Sequence, residues 1–214
     1  MPIPASKDSR DFILGRIRRA LPQSAPLPEV LNSPEWQTFP DPAARFAEVL
    51  GSVGGQVVRC SSLHQAHQHL ESMPLWTTAS VRYSAVAGLG ETSPATAAAV
   101  DPHQLENVDF AVLRGHLAVA ENGAVWVTDD TLIHRVLYFI PQHMALVVPA
   151  DSIVHNMHQA YSRIPVGNHS FAGFISGPSK TADIEQSLVI GAHGARSLTV
   201  YLVEGLPDLL AQPR

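Results

Sequence analysis

The spacing of apolar residues changes period several times along the chain, and each change predicts an element. Between Asp8 and Leu21, Ile13, Ile17, Ala20 and Leu21 recur at helical spacing. Ser6 or Ser9 can cap the start of this helix, and Arg16, Arg18 and Arg19 crowd its end, where the dipole favours cations. That argument favours a solvated helix end over an anion-binding arginine run. Pro22, Pro26, Pro28, Pro34 and Pro40 then predict an extended strap over 22–40. Asp41-Pro42 supplies an N-cap and a first-turn proline for a helix carrying Phe46, Val49 and Leu50, which should stop at Gly54-Gly55.

Beyond that point, short β-rich runs alternate with helical stretches. Strands are expected at Gln56–Cys60, Val81–Val86, Asp109–Ala120, Ala124–Thr128, Ala145–Val148, Phe171–Ser176 and Ser197–Val203, and helices at Ser62–Met73 and Asp151–Tyr161. The alternation predicts an α/β fold, a mostly parallel sheet with helices on both faces and one antiparallel hairpin inside it. A helical, proline-rich arm over 1–40 precedes an α/β domain over 41–214.

Composition narrows the classes. Apolar residues make up 45% and charged residues 15% of 214, enough to bury one sizeable core. A net charge of −5 gives no electrostatic reason to expect nucleic acid or an anionic membrane. No apolar run approaches a bilayer span and the N-terminus lacks a signal-peptide pattern, so a cytoplasmic location is expected. Cys60 is the only cysteine, which excludes an internal disulfide, a CxxC zinc site and a cysteine-ligated iron–sulfur cluster. It reads as a core residue.

Candidate chemistry begins at "LAVAENGAVWV". Asn122-Gly123 between two β-rich runs is a type I′ hairpin signal, and it leaves Glu121 as the last strand residue. Glu121-Asn122-Gly123 also resembles the Glu-Asn-Gly signature of one group of CoA transferases, which implies Glu121 as a nucleophile forming a glutamyl thioester. Both readings stay open on the residues alone.

Further on, a strand ending near Ser176 meets Gly177-Pro178 and Ser179-Lys180-Thr181. The pattern predicts a turn into a short helix, with Ser179 or Thr181 at its cap and Asp183 and Glu185 in its first turn. Such a corner at the carboxyl edge of a parallel sheet suits a small anion, cradled by the Gly177–Thr181 backbone. His193, between turn glycines Gly191 and Gly194, is expected to titrate near neutrality.

Ser176-Gly177-Pro178-Ser179-Lys180-Thr181-Ala182-Asp183-Ile184-Glu185, with Gly191-Ala192-His193-Gly194 downstream, resembles the signature of the lactate-utilisation (LUD) domain family. Ala120-Glu121-Asn122-Gly123 is similar to that family's hairpin, and element order matches from about residue 41 to 203. Asn122 stands where the family more usually has Thr or Ser, and Ala195 where it has proline. The resemblance implies a NagB/RpiA/CoA-transferase-like fold. It also implies a part in oxidising L-lactate to pyruvate beside two partners that carry the iron–sulfur clusters, this chain carrying none. The expected cleft gathers Glu121, Asn122 and Gly123 with the Ser176–Thr181 corner, Asp183, Glu185, His193 and Gly194. Glu121 and His193 would do acid–base or orienting work there.

Other histidines are weaker candidates. His64 and His67, and His155 and His158, share helix faces at i, i+3, but no third ligand is evident, so no metal is expected. No cofactor is expected either, since "GLGETSPATAAAV" matches no nucleotide loop. Trp126 reads as core. The competing classes are an independent acyl-CoA transferase and a non-catalytic scaffold or regulator.

Overall fold

The structure is a computed structural model that describes residues 6–21, 33, 35–130, 132–165, 167, 169–182, 188–191 and 194–207. The chain forms two compact units, 1–33 and 34–214. The first contains helix α1 (Ser6–Ala20), with Arg18 and Arg19 in its last turn.

The second unit is built on five parallel strands in the order β1-β11-β6-β3-β2. They are β1 (Gln56–Cys60), β2 (Arg82–Ser84), β3 (Phe110–Arg114), β6 (His143–Pro149) and β11 (Ser197–Val203). The two central strands are almost wholly apolar, as strands covered on both faces must be. On β6, Met144, Leu146 and Val148 point to one core layer and Ala145 and Val147 to the other. β11 repeats the division with Leu198, Val200 and Leu202 against Tyr201 and Val203.

One face is covered by α3 (Leu63–Ser72) and α4 (Pro74–Thr77), which bury Ala66, Leu70 and Trp76. The Ser62 hydroxyl caps α3 by accepting from the Gln65 N–H. Against the other face lie α2 (Pro42–Ser52), capped by Asp41, and a second sheet. That sheet has the order β7-β4-β5-β8, from β4 (Leu117–Val119), β5 (Ala124–Thr128), β7 (Ile153–Val154) and β8 (Ala172–Ile175). Its far side packs Leu117, Val119 and Trp126 against Ala160 and Ile164, at and just beyond α6 (Met157–Arg163). A four-residue helix, α5 (Pro94–Ala97), follows β2.

The architecture is therefore α/β with a mostly parallel central sheet, as expected, but four details differ. The hairpin is not inside the parallel sheet; it forms the middle of the second one. The run expected as one strand over Asp109–Ala120 breaks after Arg114, because the chain crosses between sheets at Gly115. A Cβ there would run into the Val125 and Val148 side chains, so only glycine fits. The expected helix over Asp151–Tyr161 starts only at Met157, since Ile153 and Val154 pair with β4 at Ala118 and Val119. Finally, the corner after Ser176 leads into a hairpin. β9 (Lys180–Ala182) pairs antiparallel with β10 (Leu188–Ile190) where a helix was expected. Thr181, Val189 and Ile190 are β-branched, which favours strand over helix.

Candidate functional site

Two of the expected corners do meet. The Ser176 hydroxyl donates to the Asn122 carbonyl at 2.8 Å, joining the β4–β5 turn to the end of β8. The turn is longer than a type I′ hairpin. Val119 pairs with Ala124, so four residues connect the strands, and the Gly123 N–H closes back on the Val119 carbonyl. Gly123 has φ +66°, and a Cβ on it would lie 3.0 Å from the Leu50 backbone nitrogen. Gly177 sits as close to the Val53 carbonyl, also at 3.0 Å from a notional Cβ. Both corners are thus seated on the C-terminal end of α2, and glycine is what lets them approach.

The polar groups of these corners are largely engaged within the fold. Glu121 Oε2 accepts from the Met157 N–H at 3.1 Å, and its own N–H donates to the His155 carbonyl. The carboxylate therefore serves the first turn of α6, beside the Asn156 cap, where a negative charge is favoured. The Ser179 N–H donates to the Ala195 carbonyl, and the Ser179 carbonyl accepts from the Gly191 N–H. The backbone cradle expected over Gly177–Thr181 is accordingly closed at Ser179, and Lys180 and Thr181 lie in β9. Asp183, Glu185 and His193 lie outside the described residues.

Three expected residues, Gly177, Ser179 and Gly194, line a cavity of about 410 Å³ together with Tyr138, Phe139 and Phe171. Met144 and Leu198 place it at the amino ends of β6 and β11, opposite to the carboxyl edge where the site was expected. Glu121, Asn122 and Gly123 do not line it. Its wall is apolar and aromatic. The Tyr138 hydroxyl donates to the Thr128 carbonyl at 2.9 Å. Burial, with the Asp129 charge next, pushes the Tyr138 phenol far above its ordinary range, so it remains a donor.

The opposite edge holds a residue pair that the sequence reading passed over. Arg114 and His116, the last residue of β3 and the second after it, line a small pocket of about 40 Å³. His116 is 5% exposed, and its Nε2 lies 2.9 Å from Thr128 Oγ1. The signal was present in outline, because a charged residue closes an otherwise apolar run at Phe110–Leu113.

Three histidines have partners within the fold. His155 Nδ1 accepts from the Phe39 N–H at 3.0 Å, His158 lies against Trp36, and His69 Nδ1 meets the Tyr201 hydroxyl at 3.0 Å. Among the described residues, the group that gathers ligand atoms is Asp129, Asp130 and His169, within 4.8 Å of one another. His169 and Asp130 already hydrogen-bond at 3.0 Å. Trp126 is core, as expected.

The described strands from β2 to β11 fall inside the span matched by the pattern of the LUD domain, residues 79–203. The chain belongs to the LUD domain family. Within that family it is 36% identical over 103 residues to lactate utilization protein C 1 of Bacillus mycoides, covering 44% of this chain and 43% of that protein. It is 35% identical over 110 residues to lactate utilization protein C of Geobacillus thermodenitrificans, covering 49% and 45%. With the protein of that name from Oceanobacillus iheyensis the identity is 29% over 105 residues, covering 46% and 45%. The matched region thus spans less than half the length of these LUD relatives. A crystal structure of a DUF162 family protein from Deinococcus radiodurans overlays on 76% of this chain and 96% of its own, with TM-score 0.49 and 15% identity. No helix among the described residues is long and apolar enough to cross a membrane.

Proposed function

We propose that this LUD-domain chain serves in the oxidation of L-lactate to pyruvate, beside partner proteins that carry iron–sulfur clusters, and that it holds a small carboxylate. The observation that supports this most is the likeness to proteins named lactate utilization protein C, at 36% identity over 103 residues in one case. Converting lactate to pyruvate removes two electrons and two protons, and the electrons need a carrier. The single cysteine, Cys60, is 3% exposed, and burial pushes its thiol pKa up, so it remains a neutral core group.

Deleting the gene from its source organism, with complementation by the full chain, tests the reading. Growth on L-lactate should fail and recover while growth on glucose is untouched. Recovery of iron-containing proteins with the tagged chain from lactate-grown cells should accompany it. Wild-type growth of the deletion strain on L-lactate would overturn the proposal.

A further inference from the structure

The loops that leave the carboxyl ends of the five parallel strands converge on one point. Leu63 follows β1, Val86 and Ala87 follow β2, His116 follows β3, Pro149 closes β6, and Leu206 follows β11; all of them line the small pocket. In α/β sheets this edge is where ligands are bound. Arg114 lines the same pocket, half-buried. Among the described residues, its guanidinium makes no hydrogen bond or ion pair and no carboxylate lines the pocket. A half-buried cation without a counter-ion is costly unless an anion arrives to meet it. Leu63 is also the first residue of α3, a ten-residue helix whose positive end therefore adds to the field of Arg114.

We infer that this pocket is the binding site of a small monocarboxylate of two or three carbons, held by the Arg114 guanidinium. The inference rests on the lactate reading only for the identity of the acid. Size sets the class: about 40 Å³ is room for about three water-sized groups. That admits the carboxylate of a small acid, with the rest of the acid at the mouth, and is too small to enclose a nucleotide or an acyl-CoA. A guanidinium fork matches the two oxygens of a carboxylate. His116 forms a fixed wall, its ring held by Thr128. Another depression lined by an arginine, at Arg196, also contains the Asp109 carboxylate, which repels an anion.

Equilibrium dialysis of the full chain with radiolabelled pyruvate, and separately with L-lactate, acetate and inorganic phosphate, tests the site. Pyruvate and lactate should bind in preference to phosphate. Arg114→Gln should weaken pyruvate binding by about 10- to 100-fold, the loss expected for a charge-assisted pair. Arg114→Lys should fall between, since it retains charge without the fork. Ala87→Leu, at an exposed rim position, should abolish binding by filling the pocket while leaving Arg114 in place. Pyruvate binding by Arg114→Gln or Ala87→Leu at wild-type affinity would overturn the site. So would preference for phosphate, or no carboxylate binding by the wild type, and neither outcome would touch the growth test of the lactate role.

Discussion

The Glu121–Ser179 corners and the Arg114 pocket are opposites in how they use their polar groups. At the corners, the residues with the most obvious chemistry have partners inside the fold. Glu121 caps α6, Ser176 ties two turns together, and the Ser179 amide holds Ala195. At the pocket, the chemistry is modest in appearance, one arginine at a strand end, yet its charge is left over. Binding sites are built from groups the fold has not satisfied, because a satisfied group must first break a bond before it can make another. The contrast makes the corners a joint and the pocket a site.

The joint can be broken at its glycines. Gly123→Val forces a β-branched side chain into φ +66° and against the Leu50 backbone, which cannot move aside. Urea unfolding should show a loss of about 3 kcal/mol. Glu121→Gln removes the charge from the first turn of α6 and should cost about 1 kcal/mol by the same measurement. Incubation with acyl-CoA and hydroxylamine should leave Glu121 unmodified, and mass spectrometry of the chain checks this. Ser176→Ala, at an exposed hydroxyl, should cost only about 0.5 kcal/mol.

A smaller effect concerns pH. Burial, then the Arg196 charge, holds the His143 imidazole below its ordinary 6.5, with Asp109 pulling the other way. As pH falls through 6.5 the unfolded chain takes up a proton that the folded chain refuses, so stability declines on the acid side. His143→Gln should flatten that decline in unfolding curves between neutral pH and mildly acidic pH. A slope unchanged by the substitution would contradict the assignment.

How much of this was legible in the residues depends on how local each cause is. Gln56–Cys60 and Ser197–Val203 form the strands their patterns predict, and Asp41 and Ser62 cap the helices they precede. These signals act within a few positions. The break at Gly115 was missed because its cause, the approach of Val125 and Val148, lies in two other strands. The corner after Ser176 read as a helix cap because Ser, Thr, Asp and Glu favour one locally, while the Ser179–Ala195 pairing that favours a hairpin is not local. Arg114 was passed over for a similar reason. Its significance comes from five loops meeting around it, and that convergence is a property of strand order.

The most direct measurement is the change in thermal midpoint on adding pyruvate, taken side by side for Glu121→Gln and Arg114→Gln. A ligand that binds the native state raises the midpoint. Glu121→Gln should unfold at lower temperature than the wild type and retain the full pyruvate shift. Arg114→Gln should match or exceed the wild-type midpoint without ligand and lose the shift. The reverse outcome, a shift lost with Glu121 and retained without Arg114, would contradict the division into joint and site.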